Sequence, residues 1–421
     1  MRAPLAEARE EVSPQRSLWR NRDFMLLWGG QTVSTTGSQV SQIAFPLLIL
    51  ALTRSPAQAG FAGALRSIPY LVFSLPVGAL IDRWDRKRVM VLCDAGRAVA
   101  LGSIPVALVL GRLSIAQIYA VSLVEGTLFV FFNIAEVACL PRIVPKEQLP
   151  AATAQNQTIW AAASLVGPSL AGALYQVRRM LPFVADAVSY AASVVSLLFI
   201  RTEFQGQRPA RGGRLWAEVG EGLRWLWEHP LIRYIGFLTG GVNFVWAGFP
   251  LLVIVLAQRQ GATPFAIGLL FAIEGIGSIA GSIAAVQLQK RLRFGPAIIG
   301  SVWAWAVVWP LLAVAPTPAL LAVVTGLLSV SGPLYDVVQF SYRLSLIPDE
   351  LQGRVNSVFR LLAFGFQPLG FALCGILIEQ IGPGATVLMF FAVMLLLAVA
   401  TALNPHVRHA RPMVGAREAR S

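Results

Sequence analysis

Glu125, Phe129, Asn133 and Glu136 follow i, i+4, i+8 and i+11, so a helix through them carries two carboxylates, an amide and an aromatic ring on one face. Nearly everything between them is apolar. A carboxylate in such surroundings can take up and release a proton, which is what a proton-driven cycle asks of its carrier. Glu274, with Ser278 and Ser282 on the same helical face, and Asp336 share that setting, so Glu125, Glu274 and Asp336 are the proton-coupling candidates. Arg66, Asp94 and Arg97 lie in equally apolar runs and form a candidate buried charge network. Asp94 stands one turn from Arg97 and can neutralise it locally, while Arg66, Arg97 and Glu125 fall near the middle of their runs, where they can meet. A charge at the centre of a bilayer costs about 2.5 to 3.5 kcal/mol on insertion scales, so each needs a partner or a purpose.

A second stripe is uncharged. Gln31, Ser34, Thr35, Ser38 and Gln42 follow i, i+3, i+4, i+7 and i+11, and a polar face on an otherwise apolar helix is better explained by a water-filled cavity than by lipid. Hydrogen bonding between helices, with no solute involved, is the competing reading. Other chemistry is poorly served. His229, His406 and His409 lie outside the apolar runs, and Cys93, Cys139 and Cys374 show no CxxC spacing, so no metal site and no disulfide framework are expected. GIGSIAG, from Gly275 to Gly281, lacks both the spacing of a nucleotide loop and a preceding strand, and reads as small-residue helix packing. With no P-loop, no HExxH and no nucleophile triad, neither an enzyme nor an ATP-driven pump is supported, and no cofactor is expected.

The elements that must position these residues follow from composition. Of 421 residues 56% are hydrophobic and 13% charged, a balance that asks for lipid as solvent. A spanning helix needs about 20 mostly apolar residues, and that ruler gives twelve, an all-α integral membrane fold. Spans 1 to 6 run near 23–52, 57–80, 88–110, 114–139, 151–176 and 181–200, and spans 7 to 12 near 231–256, 264–288, 295–315, 318–341, 354–378 and 384–403. The first twenty residues contain no apolar stretch, so no signal peptide is expected. If residue 1 starts inside the cell, 26 of the 34 Lys and Arg residues fall on the cytoplasmic side, five outside and three within spans. Short-loop Lys and Arg stay inside, so both termini are predicted to be cytoplasmic and the net charge of +13 reports topology and not nucleic acid.

Domain organisation follows the same ruler. A cytoplasmic tail (1–22), a six-helix bundle (23–200), a linker (201–230), a second six-helix bundle (231–403) and a cytoplasmic tail (404–421) are predicted. In the linker Leu215, Val219, Leu223 and Leu226 recur at helical spacing, which predicts an amphipathic helix on the membrane surface. The bundles echo each other: Gly78 and Gly281, Pro145 and Pro348, and Pro168 and Pro368 keep nearly one offset, as a duplicated unit would.

The loop between spans 2 and 3 reads GALIDRWDRKR, with six charges among the seven residues from Asp82 to Arg88. Here the chain resembles the major facilitator superfamily, whose signature loop is matched by Gly78, Leu80, Asp82, Arg83, Arg86 and Lys87, with Asp85 where glycine is common. Twelve spans, GPSLAG in span 5, and the VPKEQL and GRVNS elements before spans 5 and 11 extend the likeness over nearly the whole chain, most of all toward the branch of macrolide-efflux proteins and the enterobactin exporter. The resemblance implies that the loop is a gating latch. Asp82 would meet the start of span 11 near Gly353 and Asn356, and Arg83 or Arg86 would bridge to Glu136. It also implies that spans 1, 4, 7 and 10 line a central cavity, making Gln31, Ser34, Ser38, Gln42, Phe129, Asn133, Asn243, Trp246 and Tyr335 the substrate-cavity candidates, while Trp303, Trp305 and Trp309 of peripheral span 9 pack or face lipid. The function implied is proton-coupled efflux of an amphipathic drug, antibiotic or siderophore-like metabolite from a monomer in the cell membrane. A proton-coupled importer is the alternative, and a membrane receptor or enzyme the reading from another class.

Overall fold

The computed structural model describes residues 18–81, 83–204, 215–348 and 350–410, so Asp82 of the signature loop, much of both tails and residues 205–214 of the linker lie outside the described residues. Among the described residues the chain is helical, and eleven helical segments are long and apolar enough to cross a membrane. Span 2 is the twelfth, divided into Pro56–Phe73 and Pro76–Ile81. Side-chain caps mark several entrances: Asn21, Ser55, Asp85, Ser114, Thr263 and Thr317 each accept a hydrogen bond from a backbone N–H of the helix that follows.

Continuous spans were expected; four are interrupted. Span 9 is Phe294–Val308 with Leu311–Val314, span 10 is Pro318–Val330 with Gly332–Leu346, and span 11 is Gln352–Gly365 with Gln367–Ile381. Every interruption, span 2 included, has a proline at its far side: Pro76, Pro310, Pro333 and Pro368. A proline removes one donor and crowds the turn before it. Yet Pro46, Pro105 and Pro250 sit inside unbroken helices, so proline permits a break without dictating one.

Two six-helix bundles result. In the first, span 1 (Arg22–Thr53) packs on spans 5 (Leu149–Val177) and 6 (Leu181–Phe199), span 3 (Arg86–Val109) on spans 4 (Ile115–Ile143) and 6, and span 2 on span 4. The second joins span 7 (Pro230–Arg259) to spans 11 and 12 (Pro383–Leu403), span 8 (Pro264–Arg291) to span 10, and span 9 to spans 10 and 12. Small residues permit the span 8 to span 10 contact foreseen from GIGSIAG, because a Cβ at Gly277 would overlap the carbonyl of Gly326.

Contact between the bundles runs along span 2 with span 11 and span 5 with span 8. We call the end where span 1 begins and span 12 finishes proximal, and the other distal. The distal end is sealed backbone to backbone: Gly60 and Gly375 let spans 2 and 11 touch, Gly172 and Gly268 do so for spans 5 and 8. Glu379 of span 11 adds hydrogen bonds from the Ser55 hydroxyl and from Ala57 N (3.1 Å), and Gln176 accepts from Phe265 N (3.2 Å). Toward the proximal end the seal stops where the Arg360 guanidinium lies 5.6 Å above the Tyr70 ring and Phe364 meets it edge-on. Beyond that Gly78 and Gly353, one on each bundle, face open space, so the bundles diverge.

The linker helix, Leu215–Glu228, does more than lie on a surface. It docks on the start of span 11, where Gly222 abuts the Arg354 backbone, Glu221 pairs with Arg354, and Leu226 is fully buried.

Candidate functional site

The charges expected to meet do so. A Cβ at Gly126 would overlap the carbonyl of Arg66, so spans 2 and 4 approach closely there and bring Arg66 beside Glu125. Arg66 Nε lies 2.5 Å from Glu125 Oε2 and its Nη2 donates to Oε1 at 3.2 Å, while Arg97 Nη2 of span 3 donates to the same Oε1 at 2.9 Å. Arg97 Nη1 also faces Asp94 Oδ1 at 3.6 Å, the local neutralisation that i,i+3 spacing allowed. Tyr190 of span 6 completes the cluster. Its hydroxyl donates to Glu125 Oε1 at 3.4 Å and shares a 2.6 Å hydrogen bond with Ser38, and its ring lies 4.0 Å beneath the Arg97 guanidinium. Glu125 and Asp94 are completely buried and Arg97 nearly so, which strengthens each pairing and makes any orphaned charge expensive.

The cluster borders a cavity of about 420 Å³ between spans 1, 4 and 5, with Arg97 in its wall. Gln31, Ser34, Thr35 and Ser38 line it from span 1, and Phe129, Phe132, Asn133, Glu136 and Val137 from span 4. Leu140, Pro141 and Leu149, close to the proximal ends of spans 4 and 5, also line it, so it opens on the proximal side. The face shared by Glu125 and Glu136 is thus divided: Glu125 is clamped by two arginines, whereas the Glu136 carboxylate has neither hydrogen bond nor ion pair among the described residues and stands on the cavity wall. Rings, amides and hydroxyls alternating around one acid can hold a solute with an apolar body and a few polar groups.

Several expected residues belong elsewhere, and these are corrections. Gln42 is exposed and does not line the cavity. Asn243 donates to the Ala363 carbonyl at 2.7 Å and ties span 7 to span 11. Trp246 packs 4.7 Å from Phe249, 6.0 Å from Trp305 and 5.8 Å from Trp309, and Tyr335 is buried with its hydroxyl 2.7 Å from Thr239. Those aromatics form the core of the second bundle, because spans 7, 9 and 10 turn their large rings toward each other and not toward the opening. Trp305 and Trp309 are fully packed there, one of the two outcomes expected for span 9. Glu274 is half-buried on span 8 and Asp336 exposed on span 10, neither with an ion pair among the described residues.

Reading the sequence missed Thr153, Asn156, Gln157 and Trp160 of span 5, which line the cavity. Their spacing, i, i+3, i+4 and i+7, is the same signal that exposed span 1.

The signature loop is anchored within its own bundle. Arg86 Nη1 donates to the carbonyls of Ala138 (2.9 Å) and Phe204 (3.4 Å), and Lys87 Nζ to those of Ile200 (2.6 Å) and Leu198 (3.3 Å), where span 6 leaves carbonyls without intrahelical partners. Arg83 is exposed, and Glu136 forms no ion pair with Arg83 or Arg86 among the described residues. Asp85, which departs from the superfamily's glycine, caps span 3 by accepting from Lys87 N (2.9 Å) and Arg88 N (3.1 Å).

Two six-helix bundles, the first holding a cavity that opens at one end, and the match to the family's model define a transporter of the major facilitator superfamily, not an enzyme. The chain belongs to the family of transmembrane secretion effectors, whose model matches residues 14–416. It is similar to the multidrug efflux pump Tap of Mycolicibacterium fortuitum, with 23% identity over 395 residues, 91% of this chain and 96% of the relative. Macrolide efflux protein A of Streptococcus pyogenes is similar to the same extent, 23% over 395 residues with 91% and 96% covered. Among solved structures a bacterial homologue of the iron transporter ferroportin in its inward-facing state superposes with TM-score 0.71 at 18% identity, covering 92% of this chain and 99% of that one. The outward-facing state of a bacterial ferroportin homologue gives 0.60, with 90% and 98% covered.

Proposed function

We propose that this protein is a secondary active transporter that exports an amphipathic small molecule from the cell by alternating access, driven by the proton gradient, with both termini cytoplasmic. The observation that carries the reading is the cavity between spans 1, 4 and 5, reachable from the proximal end while glycine contacts between the bundles close the distal end. Lys and Arg residues of the described proximal loops, among them Arg83, Arg86, Lys87, Arg142, Lys290 and Arg293, favour its being cytoplasmic, and the efflux named for both relatives favours export. An amphipathic solute fits the mixed wall, where Phe129, Phe132 and Trp160 alternate with Gln31, Asn133 and Gln157.

Glu125 is the acid through which a proton acts in this reading. Protonation would remove the charge that holds Arg66 and Arg97 together, and those arginines sit on two different spans, so proton uptake would loosen the packing of spans 2 and 3 on span 4. Glu274 and Asp336 remain secondary candidates. The test is accumulation of a panel of amphipathic compounds by cells and by everted vesicles carrying the protein, with and without a protonophore. Export predicts uptake by everted vesicles that collapses with the protonophore; accumulation in whole cells would establish import, and indifference to the protonophore would end proton coupling.

A further inference from the structure

Where they diverge, each bundle presents an accessible charge at mid-depth that has no ion partner among the described residues. In the first bundle, Asp94 and Glu125 are engaged by arginines and Asp186 accepts from the Ser189 hydroxyl at 3.2 Å, which leaves Glu136 on the cavity wall. In the second, Arg354 is paired with Glu221, and Arg343 is buried, 3.8 Å above the Phe359 ring and 3.5 Å from Gln339 Oε1. That leaves Arg360, which is exposed and lies against the Tyr70 ring of span 2 across the junction. Glu136 stands seven residues before the proximal end of span 4 at Ile143, and Arg360 eight residues after the start of span 11 at Gln352. At about 1.5 Å per residue they lie at matching depth, about 10 to 12 Å from that end.

In this conformation Glu136 lines the proximal opening and Arg360 is exposed, so both are open to solvent. Closing that opening would exclude solvent, and two charges left unpaired at this depth would oppose closure. We propose that Glu136 and Arg360 form an ion pair between the bundles in the conformation closed at the proximal end, a closing contact separate from the signature loop. This rests on the alternating-access reading above and adds to it the pair of residues that makes the closed state tolerable.

The experiment uses full-length protein reconstituted in lipid vesicles without solute. Spin labels at Thr153→Cys and Gly353→Cys, both exposed and on opposite bundles, report the separation of the proximal ends, while the three native cysteines are buried. The expected result is a long and a short distance, with the short population cut about tenfold in E136Q and in R360Q, kept in R360K, and restored to within about twofold by the charge swap E136R with R360E. Unchanged distances in both single variants, or failure of the swap to restore the short population, would overturn the pair. Should E136Q abolish solute transport with distances unchanged, the acid serves the solute and the pair is wrong, while the transporter reading stands. A single distance in the native protein under every condition would remove alternating access itself, and the pair with it.

Discussion

The two bundles are built on opposite principles. The interior of the first is charged: Arg66, Arg97, Glu125 and Asp94 interlock beside a cavity edged with amides and hydroxyls. The interior of the second is aromatic: Trp246, Phe249, Trp305, Trp309 and Tyr335 meet in successive tilted and edge-to-face contacts with centroids no more than 6.0 Å apart, and none of them lines the cavity. Two bundles with matched landmarks have therefore divided the labour. In the proposed cycle one would supply groups whose partners change with a proton or a solute, and the other a closely packed body against which the first would move. Close packing of large rings has few alternative arrangements, whereas a carboxylate shared by two arginines can be released by neutralising one atom pair.

Breaking the charged side should have the largest effect. Replacing Glu125 with alanine strands two guanidiniums in the bundle and should cost about 3 to 5 kcal/mol, seen as early thermal unfolding in detergent. Glu125→Gln keeps the shape and should retain more stability, yet abolish gradient-driven transport; full coupling in that variant would transfer the role to another acid. On the aromatic side Trp309→Ala, fully buried, should cost about 3 kcal/mol in the same assay while leaving solute affinity unchanged. A loss of affinity there would blur the division between the bundles. Cavity residues should behave inversely: Trp160→Ala is expected to weaken binding by about tenfold with little change in stability, measured by tryptophan-quenching titration. The smallest effect is expected at Asp85→Ala, about 1 kcal/mol from the lost cap of span 3.

Much of this was legible because lipid imposes local rules. Twelve apolar runs, their caps, and the sidedness of Lys and Arg can be read residue by residue, and of the polar stripe on span 1, Gln31, Ser34 and Ser38 line the cavity while Gln42 does not. Span 5 carries the same signal in Thr153, Asn156, Gln157 and Trp160, spaced i, i+3, i+4 and i+7. Asn243, Trp246 and Tyr335 show the limit of such signals. Their polarity and size suited a cavity, but a ring or an amide suits a packed helix junction equally well, and spacing along one helix does not say which neighbour the face meets.

What the chain by itself determined is the set of membrane-spanning helices and the faces on which their polar groups fall, since a 3.6-residue period and the cost of exposing polar groups to lipid act within each segment. What tertiary packing decided is the rotation of each helix against its neighbours. That rotation turned Glu125 onto two arginines and left Glu136, three turns along the same helix, facing the cavity. Nor does a proline by itself say whether its helix breaks: Pro46 sits inside an unbroken span and Pro76 begins a new segment.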